Sequence, residues 1–148
     1  MRPLAEYAAP RDTPGPVARM LDNGVTLLIA RIWLALPFLA GGLMKLIDWR
    51  GGEAEMLHFG LHPAWLFNLA SLVTQLAASL LLILNRRVWL AAGALGVFTV
   101  TATLLAHRFW EFTGPERIGQ QNSFLEHWAI CAGFVLVTVV ALRERPCG

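Results

Sequence analysis

Four long stretches of the sequence are almost free of charged residues, and each approaches the length that a lipid bilayer requires. A helix needs about 20 apolar residues to cross the hydrocarbon core. The apolar part of the last stretch, Trp128–Leu142, would cover only about 22 Å, so we expect its helix to begin near Ser123. The pattern predicts an all-α bundle of four transmembrane helices. The stretches are Val25–Leu46, Ala64–Leu84, Val88–Ala106 and a last one that ends at Leu142.

The segments around these stretches predict a short extra helix and two tails. The sequence GGEAEMLHFGL places apolar residues among charges and is too short to cross, which predicts an interfacial helix in the first outer loop. Residues 1–23 carry prolines and scattered charges without the apolar core of a signal peptide, and are typical of a flexible cytoplasmic tail. The membrane domain would then occupy residues 24–143, and residues 144–148 would form a second cytoplasmic tail.

Composition and charge support a membrane protein and predict its orientation. The chain is 56% hydrophobic and 15% charged, whereas soluble domains average about 25% charged residues. Lysine and arginine concentrate on the cytoplasmic side of membrane proteins, which predicts that both termini are cytoplasmic. A net charge of +2 without a basic stripe argues against a nucleic-acid partner. The cytoplasmic set is Arg2, Arg11, Arg19, Arg86, Arg87, Arg143 and Arg145, and the outer set is Lys45, Arg50, Arg108 and Arg117.

Polar residues recur on one face of the first two predicted helices. Arg31 and Lys45 share a helical face, and a charge facing lipid costs at least about 2.5 kcal/mol at the bilayer centre. We therefore expect this face to turn inward. Arg31 would either donate to amide and hydroxyl groups of the second helix or extend to the cytoplasmic headgroups. The second helix carries Asn68, Ser71, Gln75 and Ser79 at matching steps.

All four histidines fall on the predicted outer side, where they predict a polar mouth of the bundle. A proton-relay or quinone head-group site at His107, Glu126 and His127 is one interpretation, since histidine carries protons near neutral pH. Lys45 would pair with Glu126 or extend to the outer headgroups. A metal site is a second interpretation of the histidines, with His58, His62, His107 and His127 as its candidate ligands.

The two cysteines do not predict redox or zinc chemistry. Cys131 and Cys147 lie sixteen positions apart and form no CxxC motif. A disulfide framework and a zinc knuckle both require closer or more numerous cysteines. We expect one buried thiol and one thiol in the C-terminal tail.

Several motifs in order resemble the DoxX family of bacterial membrane proteins. They are RIWLALPFLAGGLMKLIDW, GLHPAW, NRRVWLAAGAL, TATLLAHRFW and QQNSFLEHWAICAGF, which together cover roughly residues 25–142. The resemblance implies a four-helix bundle in the cytoplasmic (inner) membrane, and links the chain with redox complexes that handle thiols or oxidative stress. Gln75 stands where the family often has an acidic residue. The positions that match recurring family residues are Arg31, Gly42, Lys45, His107 and Phe109.

These observations favour a redox-associated membrane subunit that binds a quinone head group, with no covalently bound cofactor. His107 would exchange a proton with the bound group while Glu126 and His127 tune its protonation. The quinone or another small substrate would be bound by Arg31, Lys45, Asn68 and Gln75. The chain lacks haem-attachment and nucleotide-binding motifs, so electron transfer would need quinone or a partner subunit. A small transporter or metal-handling protein, and a structural anchor for soluble partners, are the alternatives. The sequence is also compatible with a homo-oligomer.

Overall fold

The computed structural model describes residues 13–143, and this part of the chain is helical with no strand in it. The predicted C-terminal tail, including Cys147, and residues 1–12 of the predicted N-terminal tail lie outside the described residues. The chain divides after Ala30 into two compact units. Each unit is built from helices and short turns.

In the first unit, helix α1 (Gly15–Leu21) is followed by a turn and the start of helix α2 (Gly24–Ile47). The side chain of Asn23 caps α2, because its Oδ1 accepts hydrogen bonds from the backbone N–H groups of Val25 and Thr26, each at 3.0 Å. An asparagine in this position satisfies donors that the first helical turn leaves free. Helix α1 lies in the predicted tail and buries none of its residues; the flexibility of that tail stays a prediction.

In the second unit, four further helices and one short 3₁₀ helix follow α2. Helices α2, α4, α5 and α6 are long and apolar enough to cross a membrane. The predicted all-α architecture with four membrane-spanning helices is therefore confirmed, and α3 is the short helix predicted in the first loop. The elements are α3 (Trp49–His58), α4 (Ala64–Ile83), α5 (Val88–Ala106), the 3₁₀ helix (Phe109–Glu111) and α6 (Gly114–Arg143).

Helix α6 begins nine residues earlier than the predicted start near Ser123. Its first residue is Gly114, with a φ of +62° that suits glycine, and Pro115 follows, where proline is well tolerated in a helix. The 30 residues of α6 span about 45 Å. This exceeds the roughly 30 Å of hydrocarbon, so the polar first turns project beyond the apolar part.

The core of the second unit lies between α2, α4, α5 and α6 and is made of alanines, larger aliphatic residues and two phenylalanines. The ring of Phe38 lies 5.5 Å from that of Phe134 and 6.2 Å from that of Phe98, centroid to centroid. Small residues let neighbouring helices approach closely, as is usual in lipid. The cluster, called here the packed core, is Ala35, Phe38, Ala78, Leu82, Val88, Ala91, Ala92, Leu95 and Phe134.

The outward surface of the helices is apolar, whereas several polar residues lie inside. Ile47 is 81% exposed and Trp33 72% exposed, while Arg31 and Gln75 are 6% and 7% exposed. A protein surrounded by water would bury the large apolar side chains first. The reversed arrangement is the one that lipid as solvent favours, because lipid solvates apolar side chains and leaves charges to be satisfied inside.

A tight turn of four residues, 84–87, joins α4 to α5. Two residues of this turn, Asn85 and Arg87, have left-handed backbone conformations, with φ of 54° and 47°. The N–H of Arg86 donates to the carbonyl of Leu81 at 2.9 Å, which satisfies a carbonyl in the last turn of α4. The turn therefore reverses the chain within a few residues and makes α4 and α5 neighbours.

Candidate functional site

The polar side chains that the sequence singles out on α2 and α4 are buried. Arg31, Lys45, Asn68 and Gln75 are between 0% and 8% exposed, and all four were predicted to bind quinone or a small substrate. Spacing of three to four residues put them on single helical faces, and the cost of exposing charge to lipid turned those faces inward. Their inward direction is confirmed, and their role in binding stays a prediction.

Lys45 forms an ion pair with Glu55 on α3. Both alternatives predicted for Lys45, a pair with Glu126 and extension to the outer headgroups, are wrong, because Lys45 is buried and pairs with Glu55 while Glu126 is exposed on α6. The side chain of Lys45 is 10% exposed and that of Glu55 47% exposed. An almost buried ammonium group needs a counter-charge nearby, and α3 folds back against the bundle to provide it.

Helix α3 is held against α4 by a close contact at Gly52. A Cβ at this position would lie 2.3 Å from the Oδ1 atom of Asn68, so any larger residue would displace the Asn68 side chain. The Nδ2 atom of Asn68 donates to the carbonyl of Trp49 at 3.3 Å. At the start of α3, the Asp48 carboxylate accepts from the N–H of Gly51 at 2.9 Å and caps the helix. These contacts fix the position of Glu55 relative to α4.

A partly enclosed cavity of about 230 Å³, called here the polar cavity, lies where α2, α3, α4 and α5 meet. Lys45, Glu55 and Gln75 supply its main polar groups, and aromatic and aliphatic side chains form most of the remaining wall. Apolar walls with a few convergent polar groups are typical of small-molecule sites. The apolar wall includes Met56, Phe59, Leu61, Phe67, Phe98 and Leu105.

Gln75 enters the polar cavity at the point where α2 and α4 come closest. A Cβ on Gly41 would lie 2.9 Å from the Nε2 atom of Gln75, and a Cβ on Gly42 would lie 2.7 Å from the Cδ2 atom of Leu76. The Oε1 atom of Gln75 is buried and has no hydrogen-bond partner within residues 13–143. A buried carbonyl oxygen without a donor is costly, which makes it a ready acceptor for a bound group.

The predicted histidine site forms a second constellation. The ring of His107 lies 4.9 Å from that of His127, and the Nδ1 atom of His107 lies 2.8 Å from the Oε1 atom of Gln120. An amide oxygen accepts a hydrogen bond, so Nδ1 of His107 is the donor in this contact. Ala106, next to His107 in the chain, lines the polar cavity.

Aromatic residues surround this second constellation on the side of α6. The ring of Phe124 lies 5.3 Å from that of Phe109, 6.2 Å from that of Trp110 and 6.2 Å from that of Trp128. Edge-to-face arrangements of this kind stabilise by about 1 kcal/mol per pair beyond the area that they bury. The 3₁₀ helix is therefore fixed to α6, and it keeps His107 close to the first turns of that helix.

The other two histidines do not join this pair. His58 ends α3 and His62 lies in the following turn, both exposed, and the ring of His58 packs edge-on against Phe59. Within the described part of the chain, no group of three or more histidine, cysteine or acidic side chains is positioned to hold a metal ion.

Two residues at these sites were not predicted. They are Glu55 on α3 and Gln120 on α6. The signal for Gln120 was present, because Gly114 and Pro115 together indicate the start of a helix. No comparable signal identified Glu55, since its pairing depends on how α3 folds back.

The fold and the buried polar groups define a class: an integral membrane protein with four long apolar helices and charged and amide side chains gathered between them. The sequence profile of the DoxX family matches residues 26–108, more than half of the chain, and the protein belongs to the DoxX family. The matched region contains all four buried residues predicted to bind substrate, together with His107; Glu126 and His127 lie beyond it.

A curated relative agrees with this assignment. The chain is 25% identical over 115 residues to the inner membrane protein YphA of Escherichia coli (strain K12), an alignment that covers 78% of this chain and 82% of YphA. No solved structure matches the chain significantly. Together with the four apolar helices, the family and this relative make the protein a multi-pass inner-membrane protein.

Proposed function

We propose that this protein is a redox-associated membrane subunit that binds a quinone head group in the polar cavity. The observation that carries the proposal is the Oε1 atom of Gln75, which has no hydrogen-bond partner among residues 13–143 and is buried in a cavity whose charged groups are Lys45 and Glu55. A quinone ring is flat and apolar with an acceptor oxygen at each end, and matches aromatic walls with a few polar groups.

The polar groups of the cavity suit both redox forms of such a ligand. The ammonium group of Lys45 would donate a hydrogen bond to a quinone oxygen, and Oε1 of Gln75 would accept one from a hydroquinone hydroxyl. Glu55 compensates the charge of Lys45 when the cavity is empty. Arg31 and Asn68 would act at a distance, by the charge and packing that they contribute to the same helix faces, because neither lines the cavity.

In this proposal His107 exchanges one of the two protons that accompany reduction, with Glu126 and His127 tuning its protonation. The support is the position of His107 beside Ala106, a residue of the cavity wall, and the contact of its Nδ1 atom with Gln120, which orients the ring. Reduction of a quinone to a hydroquinone takes two electrons and two protons. The electrons would come from a partner redox subunit, since the sequence has two cysteines sixteen positions apart and no CxxC motif.

Photoaffinity labelling of the full-length protein in lipid nanodiscs tests the binding site. A quinone carrying a photoreactive azide should label residues of the cavity wall, with Met56 and Phe59 as expected targets. Gln75→Leu should weaken binding of the reduced, hydroquinone form of the probe about fivefold, since Oε1 of Gln75 accepts from its hydroxyl and a lost buried hydrogen bond costs about 1 kcal/mol. Gln121→Leu, the same change on the exposed side of α6, is the matched control. Equal binding by the two variants would contradict the proposal.

The proton role needs a separate measurement. The bound quinone is reduced with added dithionite, which supplies the electrons, and formation of hydroquinone is followed in wild type, His107→Ala and His58→Ala. Removing a positioned proton donor slows such a step by at least about a hundredfold, so we expect slow reduction only in His107→Ala. Equal rates in all three proteins would remove His107 from the mechanism and leave the binding site untouched.

We also propose that both termini lie in the cytoplasm, which places the polar cavity at the outer side of the membrane. The support is the excess of arginine in the turn between α4 and α5 and in both tails. A phosphatase fused to the C-terminus should be inactive, because such a reporter folds only outside the cytoplasm, whereas one fused after residue 60 should be active. The opposite pattern would reverse the orientation.

A further inference from the structure

Two apolar grooves flank the outward face of α5. One, of about 550 Å³, lies between α5 and α6, and the other, of about 560 Å³, lies between α4 and α5. Four residues of α5 line both grooves and form the ridge between them; we call this the α5 ridge. Their spacing of four residues puts them on one face of the helix. They are Trp89, Gly93, Val97 and Thr101.

The length of the α5 ridge matches one leaflet of a bilayer. The twelve steps from Trp89 to Thr101 correspond to about 18 Å of helix, against about 15 Å for half of the hydrocarbon core. A neighbouring transmembrane helix would contact α5 over the full thickness of the membrane. Grooves of half that length fit the acyl chains of a lipid from the leaflet at the Trp89 end.

Positive charge lies at that same end. Arg86 and Arg87 immediately precede α5, and both are exposed. Neither guanidinium has an acidic partner among residues 13–143. Arginine binds phosphate oxygens through paired hydrogen bonds, and the exposed indole of Trp89 is of the type that lies at headgroup level.

We propose that the α5 ridge is the binding site of an anionic diacyl phospholipid. The phosphate binds Arg86 and Arg87, and the two acyl chains lie one in each groove, on either side of the ridge. Gly93 leaves room for both chains, because a Cβ at this position would meet nothing within 4 Å. The groove between α4 and α5 shares Phe67, Ser71, Phe98 and Thr101 with the wall of the polar cavity. The lipid proposal does not rest on the quinone proposal.

A second copy of this chain fits the same surface less well. Val97 and Trp89 are 70% and 61% exposed and stand between the two grooves, so a single helix could occupy only one of them. A lipid with two chains occupies both. The unpaired arginines also favour an anionic ligand over an identical chain that carries the same charges.

Lipid titration of the purified full-length protein, followed by native mass spectrometry from neutral detergent, tests the site. Phosphatidylglycerol should bind at least about tenfold more tightly than phosphatidylcholine with the same acyl chains. The double variant Arg86→Gln/Arg87→Gln should bind phosphatidylglycerol about fivefold more weakly for each arginine removed, since each arginine contributes about that factor in affinity at an anionic headgroup. Arg50→Gln/Arg117→Gln removes the same charge elsewhere and should bind as wild type does. Equal binding of the two lipids, or equal loss in the two double variants, overturns the proposal.

Gly93→Leu tests the grooves themselves. The added side chain enters open space, so the protein should fold normally, and it should weaken phosphatidylglycerol binding at least about fivefold while Gly119→Leu does not. If Gly93→Leu leaves lipid binding unchanged, the arginines attract headgroups without a groove-bound lipid, and the proposal fails. If Gly93→Leu instead converts a dimer to a monomer without changing lipid binding, the grooves belong to a second copy, which also overturns it.

Discussion

The packed core and the polar cavity share helices α2, α4 and α5 and differ in the side chains that lie between them. In the packed core, alanines let α2, α4 and α5 approach closely, and the ring of Phe38 on α2 packs against that of Phe134 on α6. In the polar cavity, a charged pair and an amide leave a space of about 230 Å³. Small apolar residues therefore allow close packing in one region of the bundle. In the other region, polar residues that need hydrogen-bond or charge partners leave a cavity.

The difference shows what each region contributes. The packed core has no ionisable side chain, so its contribution is stability through close contact. The polar cavity carries buried groups that cost free energy unless a partner satisfies them. A region with such buried polar groups is expected to lower the stability of the protein while it allows a ligand to bind. Substitutions in the packed core should therefore change mainly stability, and substitutions in the polar cavity should change mainly binding.

The largest expected effect is on the packed core. Phe134→Ala should lower the free energy of unfolding by about 3 kcal/mol, because it removes a buried ring and leaves a cavity. Val135→Ala, the next residue and 64% exposed, should change it by less than about 0.5 kcal/mol. Unfolding in mixed detergent micelles with increasing dodecyl sulfate measures both. Similar losses in the two variants would mean that Phe134 is not part of a close-packed core.

A smaller effect is expected where α2 and α4 touch beside the cavity. Gly42→Leu should cost about 2 kcal/mol, because the new side chain meets Leu76 and Gln75. Gly119→Leu, where a Cβ meets nothing within 4 Å, should leave stability unchanged or raise it. Thermal melting in detergent compares them, and a Gly42→Leu variant as stable as wild type would show that the helices do not approach this closely.

Breaking the ion pair should have an intermediate cost. Glu55→Gln leaves the ammonium group of Lys45 almost buried without its counter-charge, which we expect to cost about 1–2 kcal/mol, less than for a fully buried pair because Glu55 is half-exposed. Adding Lys45→Met should recover part of this loss, since the double variant removes both charges. Glu53→Gln on the same helix is the control. Additive losses in the double variant would contradict the pairing.

The smallest effect is expected at the histidine pair. His107→Ala and Gln120→Leu should each cost about 1 kcal/mol, the usual contribution of one hydrogen bond. The double variant should lose little more than either alone, because both changes remove the same contact. His58→Ala, at an exposed position, should have no effect on unfolding. Fully additive losses would show that the two side chains do not interact.

The architecture and the inward faces were predictable because helix geometry is fixed by short-range rules. Steps of three and four residues determine which side chains share a face, and the cost of charge in lipid determines where that face turns. The inward direction of Arg31, Lys45 and Gln75 followed from these two rules alone. Neither rule depends on how the helices are arranged around one another.

The partners of these residues depend on that arrangement and were not predictable. Depth in the membrane placed Lys45 level with Glu126, but depth is a single coordinate, and it does not say on which side of the bundle a residue lies. Glu55 was nearer because α3 folds back over α4 through Gly52. Gln120 contacts His107 because it belongs to α6, which begins at Gly114 and not near Ser123.

Lys45 is the only lysine in the sequence, and its side chain is covered by Glu55 and α3. Apart from the α-amino group, an acylating reagent therefore finds a single primary amine, and reaches it only when α3 lifts away. The rate of acylation at this nitrogen would therefore report how often the cavity opens in intact membranes. A ligand that closes the cavity would slow this acylation. The measurement needs no label engineered into the protein.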